Sequence, residues 1–274
     1  MATPKATLSR SMTISDSMKA DQKKLSSKQV KLEQKMMKKR KNFTDRVLQN
    51  LNDMLADIEN VYDEITRQAP EHINQNDRIM TFAESDLLCL FLEAAHEGVE
   101  QDGGKQAGGK EFEVLVCETA PFYKGHESAK KLHEKGINCK LITDSSVFAL
   151  MSGIDKVIIS THAVMANGGL IAHSGAYQIA LAAKEFSIPV IVVAGMYKLT
   201  PLYPFDPMKL NELLAPSSIM TFENGDVPDN VEAIVPAYDY VPPEFISLYI
   251  TNQGGFTPNY IYRQFSDNYS MKDK

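Results

Sequence analysis

Along the first 42 residues Ser, Thr and Lys alternate with too few apolar positions to offset the entropy of ordering, so the pattern predicts a disordered tail. At Phe43 the pattern changes. Val47, Leu51, Met54, Leu55, Ile58, Val61, Tyr62 and Ile65 recur at three- and four-residue steps, the period of a helix with one apolar face, and Pro70 is read as its end. A second helix is predicted from Ser85 to Glu97, with Asp86 in its first turn and Gly98 past its end. Residues 43–100 thus read as a helical N-terminal segment. The stretch "DGGKQAGGK", Asp102 to Lys110, reads as a flexible glycine-rich insertion over 101–110, because no apolar strand feeds it and no Gly-Lys-Ser/Thr ends it.

From Phe112 the period shortens. "FEVLVCE", "CKLIT", "DKVIIS" and "PVIVVA" read as strands, separated by helical runs "HESAKKLHEKG", "SSVFALMSG" and a helix from His173 to Phe186 capped by a serine. Near-continuous apolar strands alternating with helices imply a mostly parallel sheet covered on both faces. The fold class expected for residues 111–274 is therefore α/β, a Rossmann-like doubly wound sheet, in which ligands bind beyond the carboxyl ends of the strands.

Charge is unevenly placed along the chain. Twelve Lys and Arg in residues 1–41 face Asp16, Asp21 and Glu33, and since the 274-residue chain carries a net −6, everything after residue 41 is near −15. That balance speaks against nucleic acid as a partner except through the basic tail, whose "KMMKKRK" run reads as a solvated stretch or as a contact for RNA or an anionic surface. Cys89, Cys117 and Cys139 form no CxxC pair and have no histidine at ligand spacing, which points to a reduced, intracellular protein without structural zinc. No apolar run reaches the length of a membrane span, so no membrane is expected as partner.

The segment "STHAVMANGGLIAHSGAY", Ser160 to Tyr177, sits at one predicted strand end and looks like a phosphate cradle. Its glycines, at 168, 169 and 175, do not have dinucleotide-fingerprint spacing, and Ala176 follows Gly175 where a P-loop has Lys. A helix start near Ser174 still offers unpaired amides to an anion. "AHSGA" lacks the glycine two residues before Ser174 that a nucleophile elbow needs, although His126, His133, His162, His173 and Asp144 are candidate partners. Cys117 on an apolar strand reads as packing rather than as a nucleophile. In "YDYVPPEFISLYITNQGGFTPNYIYRQF", Tyr238 to Phe265, Phe245, Ile246, Leu248, Tyr249 and Ile250 after the Pro-Pro start read as a helix buried on more than one side. Core packing and a subunit interface both account for that aromatic cluster.

The blocks "ETAPFYKGHE" (118–127), "ITDSSVFALM" (142–151), "DKVIISTHAVMANGGL" (155–170), "LAAK" (181–184), "YKLTP" (197–201) and "YDYVPPEFISLYITNQGG…PNYIYR" (238–263) resemble the regulatory alpha/beta/delta subunits of eukaryotic translation initiation factor 2B, most closely the beta type. The resemblance runs from Glu71 to Tyr269. It implies a non-catalytic regulatory subunit of the guanine-nucleotide exchange factor for initiation factor 2, in the cytosol. It further implies direct pairing with a delta-type subunit, with alpha, gamma and epsilon subunits in the same complex, and initiation factor 2 itself as a partner. The family has a longer helical N-terminal domain, whereas one helix precedes Pro70 here.

The same fold family includes sugar-phosphate isomerases such as methylthioribose-1-phosphate isomerase, and that likeness sets a test. Ala83 in "MTFAES" stands where those enzymes have a reactive cysteine, and His162 where they have a catalytic aspartate. Ala172-His173 replaces their Asn-Lys pair, Ala176 a threonine and Ala120 an arginine. One positioned acid or base supplies on the order of 100- to 10,000-fold acceleration, so the resemblance implies no catalytic residue, no cofactor and no metal. It implies a vestigial ligand pocket at Ala83, Glu118, Gly125, His162, Asn167, Gly168, Gly169 and Gly175. The implied subunit interface comprises Tyr240, Pro242, Pro243, Glu244, Ile246, Tyr249, Asn252, Gly254, Gly255, Tyr260, Tyr262 and Arg263. A rearranged isomerase, and a module that senses a sugar phosphate or nucleotide, are the alternatives.

Overall fold

The computed structural model describes residues 9–98, 100–101, 105–106, 109–206, 211–220 and 231–269, with side chains from Lys35 onward except at residues 100–101, 105–106 and 268. The chain divides into an N-terminal unit that ends at Ile58 and a compact unit, Glu59–Lys274. Helix α1 (Ser9–Thr66) supplies all of the described structure of the first. Residues 9–42, read above as a disordered tail, are therefore helical, and residues 1–8 lie outside the described residues. Lys is a good helix former, and propensity alone carries the helix through a stretch with little to bury. Pro70 does not end that helix. It sits in the first turn of a short separate helix, α2 (Ala69–His72), where its missing N–H costs nothing.

In the compact unit β1 (Arg78–Thr81) leads into α3 (Asp86–Glu97), whose Ser85 side chain accepts from Leu88 N–H at its start. A two-stranded ribbon of β2 (Glu100–Gln101) and β3 (Lys105–Gln106) follows, where the glycine-rich insertion was expected. Asp102–Gly104 and residues 107–108 of that insertion lie outside the described residues. Next come β4 (Glu113–Cys117), α4 (Lys124–Glu134), β5 (Asn138–Ile142), α5 (Val147–Met151) and β6 (Lys156–Ser160). The chain continues through β7 (Ala163–Val164), β8 (Leu170–His173), α6 (Ala176–Glu185) and β9 (Val190–Val193). It closes with β10 (Tyr238–Val241), β11 (Leu248–Thr251), β12 (Gly254–Phe256) and α7 (Ile261–Asn268).

The main sheet has the order β12-β11-β9-β6-β1-β4-β5 and is parallel except for β12 at one edge. Alternate residues of the central strands feed two cores. Met80, Leu115, Val157, Ile159 and Val192 face α5 and α6, while Ile79, Val114, Val116, Ile158 and Val193 face α3 and α4. Burial on both faces is why these strands read as unbroken apolar runs. Below their amino ends, Lys156 Nζ meets Asp77 Oδ2 at 2.7 Å and the His72 carbonyl at 2.8 Å, with both side chains of the ion pair 11% exposed.

Three expectations are corrected here. The sheet-bearing region begins well before residue 111, since β1 is its central strand. Leu248–Thr251 is a strand, not part of a helix, because the run lies on β9 in register Tyr249–Val192 and is buried on both faces as a helix core would be. Ser174 does not cap a helix from His173; His173 ends β8, and α6 starts only after Gly175, whose φ of 109° turns the chain.

Candidate functional site

In the sheet order, β4 and β5 lie on one side of β1 and β6, β9 and β11 on the other, so the winding reverses between β1 and β6. A crevice beyond the carboxyl ends of that strand pair is where a doubly wound fold binds ligands. A cavity of about 300 Å³ opens at that place, lined by the residues that leave β1 (Phe82 to Asp86) and β6 (Thr161, His162), with Ala172, His173, Ala176 and Lys198 closing it. A second, three-stranded antiparallel sheet, β10-β8-β7, carries His173 to its rim opposite Tyr238.

The rim is aromatic. His162 lies 4.6 Å from His173 and 4.7 Å from Tyr238, centroid to centroid, and His173 stacks on Tyr238 at 6.2 Å. His162 keeps much of its surface open at the cavity mouth. Its ring is nonetheless packed enough that desolvation, helped by His173 and Lys198, lowers its pKa to about 4. Burial also lowers His173, with Lys124 adding to it. Both imidazoles are therefore neutral at pH 7. Burial pulls Lys198 down as well, and its ammonium donates to the Thr161 carbonyl at 2.7 Å. At the other wall Lys131 holds Glu84 below the ordinary carboxylate range through a 2.7 Å contact.

The polar groups that would hold an anion here are already used by the chain itself. Asp239 Oδ2 accepts from Gly175 N–H at 2.7 Å and from Tyr177 N–H at 3.2 Å, which fills the start of α6 with an internal carboxylate. Phe82 seals the same corner: a Cβ on Gly175 would lie 2.6 Å from its ring. Asp144 does the equivalent job after β4, accepting from Thr119 N–H at 3.0 Å and Ala120 N–H at 2.7 Å. Two backbone turns whose N–H groups point outward thus each hold a carboxylate of the chain itself.

Among the residues implied for a ligand pocket, Ala83 and His162 line this cavity and Gly175 borders it. Ala83 is buried at φ 63°, its N–H donating to Thr119 Oγ1 and its carbonyl accepting from Ser128 Oγ. Glu118 and Gly125 serve close packing of α4 on β4: a Cβ at Gly125 would fall 1.8 Å from the Cys117 carbonyl oxygen. Asn167, Gly168 and Gly169 are not brought to the cavity. They form a turn locked to the C-terminal segment, with Asn167 Nδ2 donating to Tyr240 Oη at 2.7 Å and Tyr249 Oη donating to the Gly168 carbonyl at 2.8 Å. Gly168 is required there, since it has φ 81° and a Cβ would meet the Pro258 carbonyl oxygen at 2.3 Å. No nucleophile line forms at Ser174, whose Oγ faces Asp239 Oδ1 at 3.5 Å rather than an imidazole. Cys117 is buried and its thiol is pushed up to about 12, mainly by desolvation.

The implied interface residues split in two. Tyr249 is fully buried and Ile246 nearly so, Tyr240 is tied to Asn167, and Asn252 Oδ1 accepts from Met196 N–H. Tyr249, on the inner strand β11, and Ile246 belong to the fold's own core, whereas Tyr240 and Asn252 are half-buried and hydrogen-bonded within the chain. Pro242, Pro243 and Gly254 are half-buried, and Glu244, Gly255, Tyr260, Tyr262 and Arg263 are exposed. Arg263 lies over the Tyr260 ring at 5.5 Å on one exposed face of the α7 end.

Sequence reasoning passed over Phe82, Lys198 and Asp239, and Asp144 as a loop anchor. It also passed over a second cavity, of about 600 Å³, between the Thr119–Phe122 loop and the 214–219 and 234–238 segments. Asp239 acts on residues 64 positions away, which leaves no local signal, whereas "RIMTF" before Ser85 was legible as a short strand feeding a cavity.

The profile of the initiation factor 2 subunit family matches residues 6–258. The chain is 42% identical over 227 residues to translation initiation factor eIF2B subunit beta of Dictyostelium discoideum, covering 83% of this chain and 56% of that protein. It is 30% identical to ribose 1,5-bisphosphate isomerase of Archaeoglobus fulgidus, covering 79% of this chain and 65% of the enzyme. Among solved structures, the tetrameric eIF2B-beta2-delta2 complex from C. thermophilum superposes with a TM-score of 0.61 at 26% identity, over 82% of this chain and 65% of that one. The chain thus spans about half the length of the Dictyostelium relative. Among the described residues no helix is long and apolar enough to cross a membrane. With the reversal point, the strand order and the family profile in agreement, this chain belongs to the initiation factor 2 subunit family.

Proposed function

We propose that this chain is a regulatory, non-catalytic subunit of the factor that exchanges guanine nucleotide on initiation factor 2, acting by assembly with a delta-type subunit. The observation that carries the reading is the occupied site: beyond the carboxyl ends of the strands, where a doubly wound fold binds ligands, Asp239 sits on the start of α6 and Asp144 on the loop after β4. The chemistry around it agrees. Ala83 has no proton to give, and burial lowers the pKa of both His162 and His173, whose rings lie 4.6 Å apart. Kinship with an eIF2B beta subunit, and likeness to a beta-delta complex, supply the partner.

In this reading alpha, gamma and epsilon subunits complete the complex, the epsilon type carries the exchange step, and the cytosol is where it works. The exposed Tyr260, Tyr262 and Arg263 surface, with Pro242, Pro243, Glu244, Gly254 and Gly255 near it in sequence, is the part of the implied interface still available to a partner.

The test measures release of labelled GDP from initiation factor 2 by epsilon-containing complex, with and without this chain and its delta-type partner. The expected result is that the pair changes the rate while the chain alone does nothing. Conversion of ribose 1,5-bisphosphate by the purified chain, abolished in His162→Ala, would instead establish an enzyme.

A further inference from the structure

Lys198 sits in the single turn Met196–Lys198 after β9 and lines the cavity of about 300 Å³ at the carboxyl ends of β1 and β6. Its ammonium donates to the Thr161 carbonyl at 2.7 Å, and among the described residues no carboxylate lies within ion-pair distance of it. Every lysine from Lys124 to Lys184 lies within 3.9 Å of a carboxylate, so Lys198 stands without the counter-charge that those have. Burial acts on it unopposed and lowers its pKa. A lysine desolvated in a pocket is the form in which this side chain attacks a carbonyl carbon.

The titratable groups lining the same cavity are Glu84, Asp86, His162 and His173. Both carboxylates are engaged by Lys131, at 2.7 and 2.8 Å, and leave Lys198 alone. His162, lowered to about 4 by desolvation, with His173 and the Lys198 charge adding to it, faces the same space. A neutral imidazole accepts a proton at one nitrogen and donates one from the other, so it can pass a proton from an attacking amine to a carbonyl oxygen. The neighbouring backbone turns already hold Asp239 and Asp144. A carbonyl compound without an anionic group therefore suits the cavity better than a phosphorylated one.

We propose that Lys198 is a carbonyl-reactive amine that captures a small, uncharged aldehyde in the cavity as an imine. The ammonium first gives up one proton to solvent. The Nζ lone pair then adds to the carbonyl carbon, and His162 passes one proton from nitrogen to the carbonyl oxygen. The second hydrogen of the amine leaves with that oxygen as water while the C=N bond forms, so no oxidant or reductant takes part. The capture is reversible, involves no turnover, and does not depend on the exchange-factor reading.

Reductive trapping in the full chain tests it. Glyceraldehyde is added at pH 7 with cyanoborohydride, which reduces an imine to a stable secondary amine, and the labelled lysines are mapped by peptide mass spectrometry. Lys198 should be labelled at least about 10-fold faster than the exposed Lys130, and that preference should vanish in about 8 M urea. Glyceraldehyde 3-phosphate should label Lys198 more slowly than glyceraldehyde does. His162→Asn should slow the labelling about 10-fold, with unchanged circular dichroism. Labelling of Lys198 no faster than that of Lys130 in the native chain overturns the proposal, as does a preference that survives in urea. Faster labelling by the phosphorylated aldehyde overturns the uncharged ligand class, and an unchanged rate in His162→Asn overturns the proton transfer through that imidazole.

Discussion

Asp239→Ala gives the most informative perturbation of the site. In the wild type its carboxylate takes two backbone donors of α6, at 2.7 and 3.2 Å, and lies beside the Ser174 hydroxyl. Loss of a capping side chain costs about 0.5–2 kcal/mol, and loss of an anion at a helix start about 0.3–1 kcal/mol. The half-buried position places the expected sum at about 1.5–2.5 kcal/mol. Urea unfolding followed by circular dichroism measures it as a lower midpoint at constant slope. The same variant uncovers the amides. Inorganic phosphate at about 10 mM, bound with a millimolar constant, should return about 1.4 kcal/mol to Asp239→Ala and nothing to the wild type. Asp239→Asn keeps an acceptor and should lose only the charge-dependent part. Equal stabilisation of wild type and variant by phosphate would refute the claim that the site is filled from within, and so would a loss below about 0.5 kcal/mol.

Other outcomes follow from the same structure. Tyr249→Phe removes the donor to the Gly168 carbonyl and should cost about 1–3 kcal/mol in urea unfolding, whereas Tyr249→Asp should yield no folded protein, because that side chain has no water to reach. Asp77→Ala strands the Lys156 ammonium and should cost about 3–5 kcal/mol; the double change Asp77→Leu with Lys156→Met should be milder. His162 resists protonation when folded and accepts a proton near pH 6.5 when unfolded. Its contribution is thus constant above pH 6.5, and stability falls as pH drops towards about 4. Proton NMR of the imidazole should show its midpoint near 4, and His162→Asn should remove that part of the acid sensitivity. Cys117, held up to about 12 by burial, should resist alkylation at pH 8 until the protein unfolds.

Much of this architecture is written in the residues. Val114 to Cys117 and Val157 to Ile159 announce strands because both of their faces are covered, and the crevice position follows from the winding they impose. The same property misled at Phe245–Ile250. A strand buried on both sides has no period of two, and only its four-residue length distinguished it from a buried helix. The site was half legible. Ala83 and His162 both line the cavity at the strand ends, while the glycine pair at 168 and 169 belongs to a turn clamped by Tyr240, Tyr249 and Pro258. The carboxylate at the start of α6 comes from β10, a partner that nothing near Gly175 in the sequence could reveal.

Native mass spectrometry after co-expression with a delta-type subunit tests the central claim most directly. The account predicts a mixed assembly containing both chains, lost when Tyr260→Asp and Tyr262→Asp are combined in a chain whose circular dichroism is unchanged. Recovery of this chain only with copies of itself, at concentrations where the delta-type subunit is present in excess, would contradict it.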